Sequence, residues 1–285
     1  MFKTKLIAAA MVLGFGGAAQ AAISNGVNGE FFFSAYDKAA GFGYTFDLSD
    51  AGFNSIFGSD VRMNSLIGAP ASPSAPGVNT SLVSAPANGV LFDLALPTFS
   101  TFLTSVNNVS GVSVDLTKVQ WNLVSLDNSG IRRLVTTAAT PISYTNGTLK
   151  AAVDAANIYS GQVNSKLSGD DDGYGVTTSA MGTAWAGYTD GDHVYKNAVS
   201  ASLATEMALY AFGQTTQSTT NTNLALTAAG GALTSGVTPV VAKVYQAADG
   251  YHLQIALAPV PEPETYAMLL AGLGLLGFAA RRKNA

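Results

Sequence analysis

The chain has 285 residues, of which only 11% are charged, against about a quarter in ordinary soluble domains. The net charge is −4, and no basic run inside residues 22–258 is longer than Arg132-Arg133, which excludes a protein that binds nucleic acid by neutralising phosphates. The absence of Cys excludes disulfides, zinc-thiolate sites, iron–sulfur clusters and a thiol nucleophile.

Residues 1–21 have the three parts of a secretory signal peptide. Lys3 and Lys5 precede an uncharged run over 6–19, and Ala19 and Ala21 are the small side chains that a signal peptidase reads. We expect cleavage just before Ala22. The alternative, an uncleaved anchor helix, is disfavoured because a spanning helix needs about 20 apolar residues.

Residues 22–258 are predicted to form a single, mainly β domain of β-sandwich-like architecture with one or two helices. Phe31-Phe32-Phe33 is typical of a strand buried on both faces, and the alternation of Val119, Trp121 and Leu123 with polar residues is typical of a half-buried strand. Further strands are predicted over 42–47, 90–96, 206–212, 238–246 and 251–257. We therefore place Trp121 in the core.

The last two of these strands flank a four-residue turn and predict a hairpin. Its second strand would place Leu253 and Ile255 on the core side and leave His252 outside as a solvated polar residue.

Residues 149–167 have mostly helical spacing and precede the stop signal Ser168-Gly169, so a helix is predicted there. Residues 197–213 suit either period, and we favour a strand over 206–212. Two segments are predicted to be surface loops because they are rich in turn-forming or polar residues: the Pro/Ala/Ser-rich loop 68–88 and the polar loop 214–223.

Two acidic turns are the most distinctive polar features of this domain. Asp170, Asp171 and Asp172 are consecutive, and Asp190 and Asp192 flank Gly191. Carboxylate oxygens suit Ca²⁺, but the EF-hand loop places its acids at alternate positions. We interpret both turns as solvated, with a calcium site as the alternative, and predict no other cofactor.

The residues contain no recognisable catalytic constellation, and the sequence predicts that the protein is not an enzyme. The histidines are His193 and His252, and the Gly-x-Ser-x-Gly elbow of serine hydrolases is absent. Glu30 and Glu206 show no spacing that marks an acid/base pair for glycoside hydrolysis. Trp185 is a candidate for a platform on which a sugar ring stacks.

Residues 259–285 have three parts in order. Pro261, Glu262 and Pro263 lie in a Pro-rich entry, residues 266–280 are uncharged, and a basic cluster follows. That cluster consists of Arg281, Arg282 and Lys283. The uncharged part would span about 22 Å as a helix, which is short against a hydrocarbon core of about 30 Å, and the basic cluster would stay on the cytoplasmic side.

This tail resembles the PEP-CTERM sorting domain, with Pro261-Glu262-Pro263 as the signature, 266–280 as the membrane segment and 281–283 as the basic end. The resemblance implies a Gram-negative host that makes exopolysaccharide. It also implies recognition by an exosortase, a membrane-embedded cysteine peptidase that removes the tail. It covers residues 259–285 and implies nothing about the chemistry of residues 22–258.

We therefore expect an exported protein that is processed by signal peptidase and exosortase and inserted in the inner membrane through its tail during sorting. Its destination would be the cell surface or the extracellular matrix, with a structural or adhesive role in biofilm exopolysaccharide and no nucleic-acid partner. The alternatives are a secreted carbohydrate-binding module that uses Trp185, with or without calcium, and a secreted hydrolase that uses Asp192 or His193.

Overall fold

The computed structural model describes residues 23, 29–48, 80, 89–110, 115–128, 130–166, 174–190, 195, 197–217, 221–259 and 273. The signal peptide 1–21, nearly all of loop 68–88 and the sorting tail from 260 onward, Leu273 excepted, lie outside the described residues. Within those ranges no helix combines the length and the apolar character needed to cross a membrane.

The described part of the chain is dominated by strands. The strands are β1 Phe31–Asp37, β2 Phe42–Asp47, β3 Val90–Ala95, β4 Gln120–Asp127, β5 Arg133–Ala138, β6 Tyr174–Thr178, β7 Ala201–Ser202, β8 Met207–Gly213, β9 Ala229–Ala232, β10 Thr234–Ser235, β11 Thr238–Ala247 and β12 Gly250–Leu257. The helices are α1 Phe99–Ser110, α2 Asn146–Lys166 and the single turn α3 Asn221–Leu224, with two 3₁₀ helices, Ser179–Ala184 and Ala186–Thr189. The mainly β prediction is confirmed.

All the strands pair antiparallel in one curled sheet of order β3-β12-β11-β8-β5-β4-β1-β2-β6. The short strands β7, β9 and β10 pair with β4, β8 and β11 beside this path. The predicted β-sandwich-like architecture is corrected here. A sandwich has two stacked sheets, whereas the described strands form a single sheet. Curling lets its two ends share a core, because a strongly twisted sheet of this width cannot stay open and flat.

The segment Phe31-Phe32-Phe33 contributes to a hydrophobic core on each face of the sheet. Strand side chains point alternately to opposite faces. Phe31 and Phe33 therefore enter the larger core inside the curl, while Phe32 enters a second core beneath α2. Every residue of β1 is buried, which confirms the burial predicted for Phe31-Phe32-Phe33.

Helix α1 closes the larger core and was not predicted from the sequence. Its Ser, Thr and Val residues are poor helix formers, but Phe99, Phe102 and Val106 fall on one face and are buried. Phe99 packs edge-to-face on Tyr44 of β2, with ring centroids 5.1 Å apart. Tertiary packing therefore overrides weak local propensity here.

Helix α2 confirms the predicted helix and begins three residues before the predicted start. A reciprocal cap explains that start: the Thr148 backbone N–H donates to Thr145 Oγ1 at 3.2 Å, and the Thr145 backbone N–H donates to Thr148 Oγ1 at 2.9 Å. The predicted end at Leu167 lies outside the described residues.

The predicted polar loop 214–223 is corrected at both ends. Gln214 is buried, because its Oε1 accepts from the Arg132 backbone N–H and its Nε2 donates to the Asn146 carbonyl, both at 3.0 Å. The last three residues of the predicted loop form most of α3. Burial of a polar side chain costs little free energy when backbone groups make its hydrogen bonds. The composition of a segment does not reveal such partners.

Candidate functional site

The junction between the sheet and the sorting tail is the first candidate site. Leu257 donates its backbone N–H to the Gly89 carbonyl at 2.7 Å, and Ala258 donates to the Pro239 carbonyl at 2.8 Å. Pro259 follows directly and has no backbone N–H to offer a neighbouring strand. The folded sheet therefore holds the chain up to the residue before the Pro-rich entry.

A pocket of about 280 Å³ lies beside this junction. Leu257 and Pro259 form part of its wall, together with Glu206 and Lys243, which carry opposite charges. The pocket thus gives the junction a small mixed-charge surface on the folded domain.

A polar cluster lies on the outer face of the sheet, opposite the larger core, and centres on Asp93 of β3. Its Oδ2 accepts from the Tyr245 hydroxyl at 2.8 Å and from Gln254 Nε2 at 2.6 Å. Its Oδ1 lies 3.0 Å from Nδ1 of His252. Because β12 pairs with both β3 and β11, register brings the four side chains together.

His252 also reaches a second carboxylate, with its Nε2 at 3.0 Å from Asp249 Oδ1 in the hairpin turn. Partial burial disfavours the charged imidazole, but the hydrogen bonds and charges of Asp93 and Asp249 outweigh it and raise the His252 pKa. Both ring nitrogens therefore face carboxylates, an arrangement that suits a protonated imidazole donating two hydrogen bonds.

The pKa of Asp93 is also set by competition between burial and hydrogen bonding. Partial burial favours its neutral form, but the hydrogen bonds from Tyr245, Gln254 and His252 lower its pKa below the ordinary value. Asp93 thus stays ionised and holds three donors from two neighbouring strands.

The outward position predicted for His252 is confirmed, but its predicted solvation is corrected. The side chain is only 16% exposed, because Asp93, Asp249 and the Tyr245 ring surround it. The sequence could have suggested Tyr245 as a neighbour through the hairpin pairing. It carried no signal that β3, more than 150 residues earlier, lies on the other side.

Trp185 lies between the two 3₁₀ helices and is half-buried. Its ring rests on Gly187, where an added Cβ would come within 2.3 Å of the indole. The indole Nε1 is buried and makes no hydrogen bond among the described residues. Trp185 is thus packed on its own turn, and a role in ligand binding stays a prediction.

Asp190 is held by two neighbours from β1 and the turn after it. It pairs with Lys38, and its Oδ1 accepts from the Tyr36 hydroxyl at 3.4 Å. Its predicted partners Asp170, Asp171, Asp172 and Asp192, together with His193, lie outside the described residues. Within the described ranges no three His, Asp or Glu side chains are grouped to hold a metal ion, and calcium binding stays a prediction.

The comparisons with known proteins agree with the position of the junction. The family model described as the PEP-CTERM protein-sorting motif matches residues 259–283. No curated protein and no solved structure matches the chain. The match begins at Pro259, directly after Ala258, which donates the last backbone hydrogen bond to the sheet among the described residues. The chain therefore carries a PEP-CTERM protein-sorting motif directly after its folded domain.

Proposed function

We propose that the protein is an exported substrate of an exosortase, delivered to the cell surface or extracellular matrix, where its β-rich domain has a structural or adhesive role in exopolysaccharide. The observation that carries this proposal is the sorting motif matched at residues 259–283. The signal-peptide pattern of residues 1–21 supports export.

The junction geometry supports removal of the tail without damage to the domain. The described strands end at Leu257, so a cut within or after Pro261-Glu262-Pro263 leaves every one of them intact. Pro261 and Pro263 offer no backbone N–H for strand pairing, so we expect this segment to be available to a peptidase.

Intact-mass analysis of membrane and medium fractions from a polysaccharide-producing host tests the proposal. We expect a released species that lacks residues 1–21 and the segment from Tyr266 onward. A membrane species that retains Arg281 to Lys283, with no shorter form, contradicts tail removal.

A matched pair of variants sharpens this test. Glu262→Gln removes the charge of the signature without changing its size, and Glu264→Gln makes the same change one residue outside it. We expect Glu262→Gln to lower the processed fraction and Glu264→Gln to preserve it. Equal processing of the two variants contradicts recognition of the signature carboxylate.

A further inference from the structure

A second pocket, of about 310 Å³, lies between α1 and the start of β12, and we call it the α1 pocket. It is lined by Ser100, Leu103, Thr104, Asn107, Leu116 and Tyr251. Its volume is at the lower end of the range of about 300–1,000 Å³ for small-molecule sites. It therefore suits one ring rather than a long ligand.

The helix wall of the α1 pocket follows from helical spacing. Ser100, Leu103, Thr104 and Asn107 stand at i, i+3, i+4 and i+7 and so share one face of α1. Leu103 is buried beside the core, whereas Ser100 and Thr104 are exposed. This face of α1 therefore places the apolar Leu103 at the floor of the pocket and the hydroxyl groups of Ser100 and Thr104 at its rim.

The hydroxyl groups at the rim have capacity to bind. Thr104 donates its hydroxyl hydrogen to the Ser100 carbonyl at 2.8 Å, which leaves the lone pairs of its oxygen as acceptors. The Ser100 hydroxyl can act as donor or acceptor.

Tyr251 supplies an aromatic wall that the core holds in place. Its ring packs edge-to-face on Phe99, with centroids 5.4 Å apart, and its carbonyl accepts from the Leu96 backbone N–H at 2.7 Å. Phe99 itself packs on Phe33 and Tyr44. The wall is therefore rigid before a ligand arrives, which lowers the entropy cost of binding.

The chemistry of this lining selects a neutral, hydroxylated ring. A sugar presents a C–H face, which packs on aromatic and leucine side chains, and hydroxyl groups, which bond to the hydroxyl groups of Ser and Thr. None of the described residues that line the pocket is charged, so an ionic ligand would lose hydration there without gaining a charged partner from them.

We propose that the α1 pocket binds one neutral sugar ring of a polysaccharide. The polymer as the source of the ring rests on the proposed extracellular location, whereas the affinity for the ring is a property of the folded domain alone. The two proposals can therefore fail separately.

Saturation-transfer NMR on the full chain, purified in a detergent without sugar headgroups, tests the pocket. The probes are glucose, galactose, mannose and N-acetylglucosamine, with glucuronic acid as the charged comparison. We expect at least one neutral sugar to bind below about 10 mM, the weak range of specific recognition. Binding of none of them, or of glucuronic acid alone, overturns the proposal.

A pair of tryptophan substitutions on α1 localises the binding. Thr104→Trp fills the pocket from the rim, whereas Thr101→Trp adds the same side chain at another exposed position of the helix that does not line the pocket. We expect at least a tenfold loss of affinity from Thr104→Trp and a change within twofold from Thr101→Trp. Equal effects of the two substitutions place the site elsewhere and overturn the proposal.

Tyr251→Leu provides a second test that does not depend on filling the pocket. It keeps an apolar wall but removes the aromatic face, so we expect affinity to fall while thermal unfolding stays cooperative. Unchanged affinity in a folded Tyr251→Leu protein contradicts the aromatic wall. Sugar binding by a protein whose tail is never removed would uphold the pocket and contradict only the sorting proposal.

Discussion

Nδ1 of His252 lies 3.0 Å from Oδ1 of Asp93 and joins the last strand of the sheet to an edge strand more than 150 residues earlier in the chain. Asp93 also accepts a hydrogen bond from Tyr245 of β11, so it connects three adjacent strands, β3, β12 and β11. We call the polar cluster around Asp93 the latch. The His252 pKa is raised and the Asp93 pKa is lowered, so the latch weakens both at high pH and at low pH.

The first prediction concerns this pH dependence. The His252 pKa is raised in the folded protein from 6.5, so its contribution to stability is complete below about pH 6.5 and disappears as pH rises through the folded pKa. The Asp93 pKa is lowered from 3.8, so its contribution is present above that pH and disappears as pH falls through the lowered value. The latch is therefore strongest between these limits.

The His252→Gln variant tests the loss of this stabilisation at the upper end of the pH range. Denaturant unfolding between pH 6 and pH 8.5 should show the free energy of unfolding of the wild type falling relative to that of the variant. The comparison cancels groups common to both proteins, including His193. A constant difference across this range contradicts the latch.

Asp93→Asn tests the centre of the same cluster. The substitution replaces a charged acceptor by a neutral group, and we expect a loss of about 1–2 kcal/mol, toward the lower end for hydrogen bonds to charged groups because the carboxylate is 31% exposed. Asp249→Asn is the control, since that carboxylate is 69% exposed and we expect a smaller effect. Equal losses in the two variants contradict the central place of Asp93.

A third prediction addresses the ion pair between Arg133 and Asp127 at the start of the β4–β5 hairpin. Arg133 Nη1 lies 2.8 Å from Asp127 Oδ2, and both side chains are fully buried. Arg133→Met should cost about 3–5 kcal/mol, because it leaves the carboxylate buried without its charge partner. Combination with Asp127→Leu should recover part of that loss in denaturant unfolding, whereas additive losses would contradict a coupled pair.

The sequence predicted the central strands, the C-terminal hairpin and α2, because each carries its own periodicity. Phe31-Phe32-Phe33 and the alternation around Trp121 reported burial directly. The single curled sheet could not be predicted, since it depends on pairings such as Asp93 with Gln254, between residues far apart in the chain. The α1 pocket was missed for the same reason: Tyr251 and Ser100 meet only after the strands have paired.

The local packing of Trp185 leads to a fourth prediction. An added Cβ on Gly187 would fall within 2.3–2.5 Å of the indole ring, so Gly187→Ala must displace Trp185 and should cost about 1–3 kcal/mol. Gly231→Ala is the control, because a Cβ there meets open space and should change stability by less than about 0.5 kcal/mol. A shift of indole fluorescence in Gly187→Ala alone would confirm the packing, and an unchanged spectrum would contradict it.

The last prediction concerns Tyr159, whose hydroxyl lies between Ser34 Oγ and Thr45 Oγ1 beneath α2. Burial raises its pKa to about 12, against the opposing effect of these two hydrogen bonds. Its contribution to stability is therefore complete below pH 10 and falls as pH rises from 10 toward 12, where the unfolded chain ionises first.

Tyr159→Phe should remove part of this alkaline slope and cost about 1–2 kcal/mol at neutral pH, since it leaves two buried hydroxyls without their shared partner. Unfolding followed between pH 8 and pH 11 in wild type and variant measures both effects. Tyr251→Phe is the control, because Tyr251 lines the α1 pocket and packs on the larger core, not on the core beneath α2. If the wild type and Tyr159→Phe lose stability equally over this range, Tyr159 ionises as readily in the folded protein as in the unfolded chain, and the hydroxyl network beneath α2 does not hold it neutral.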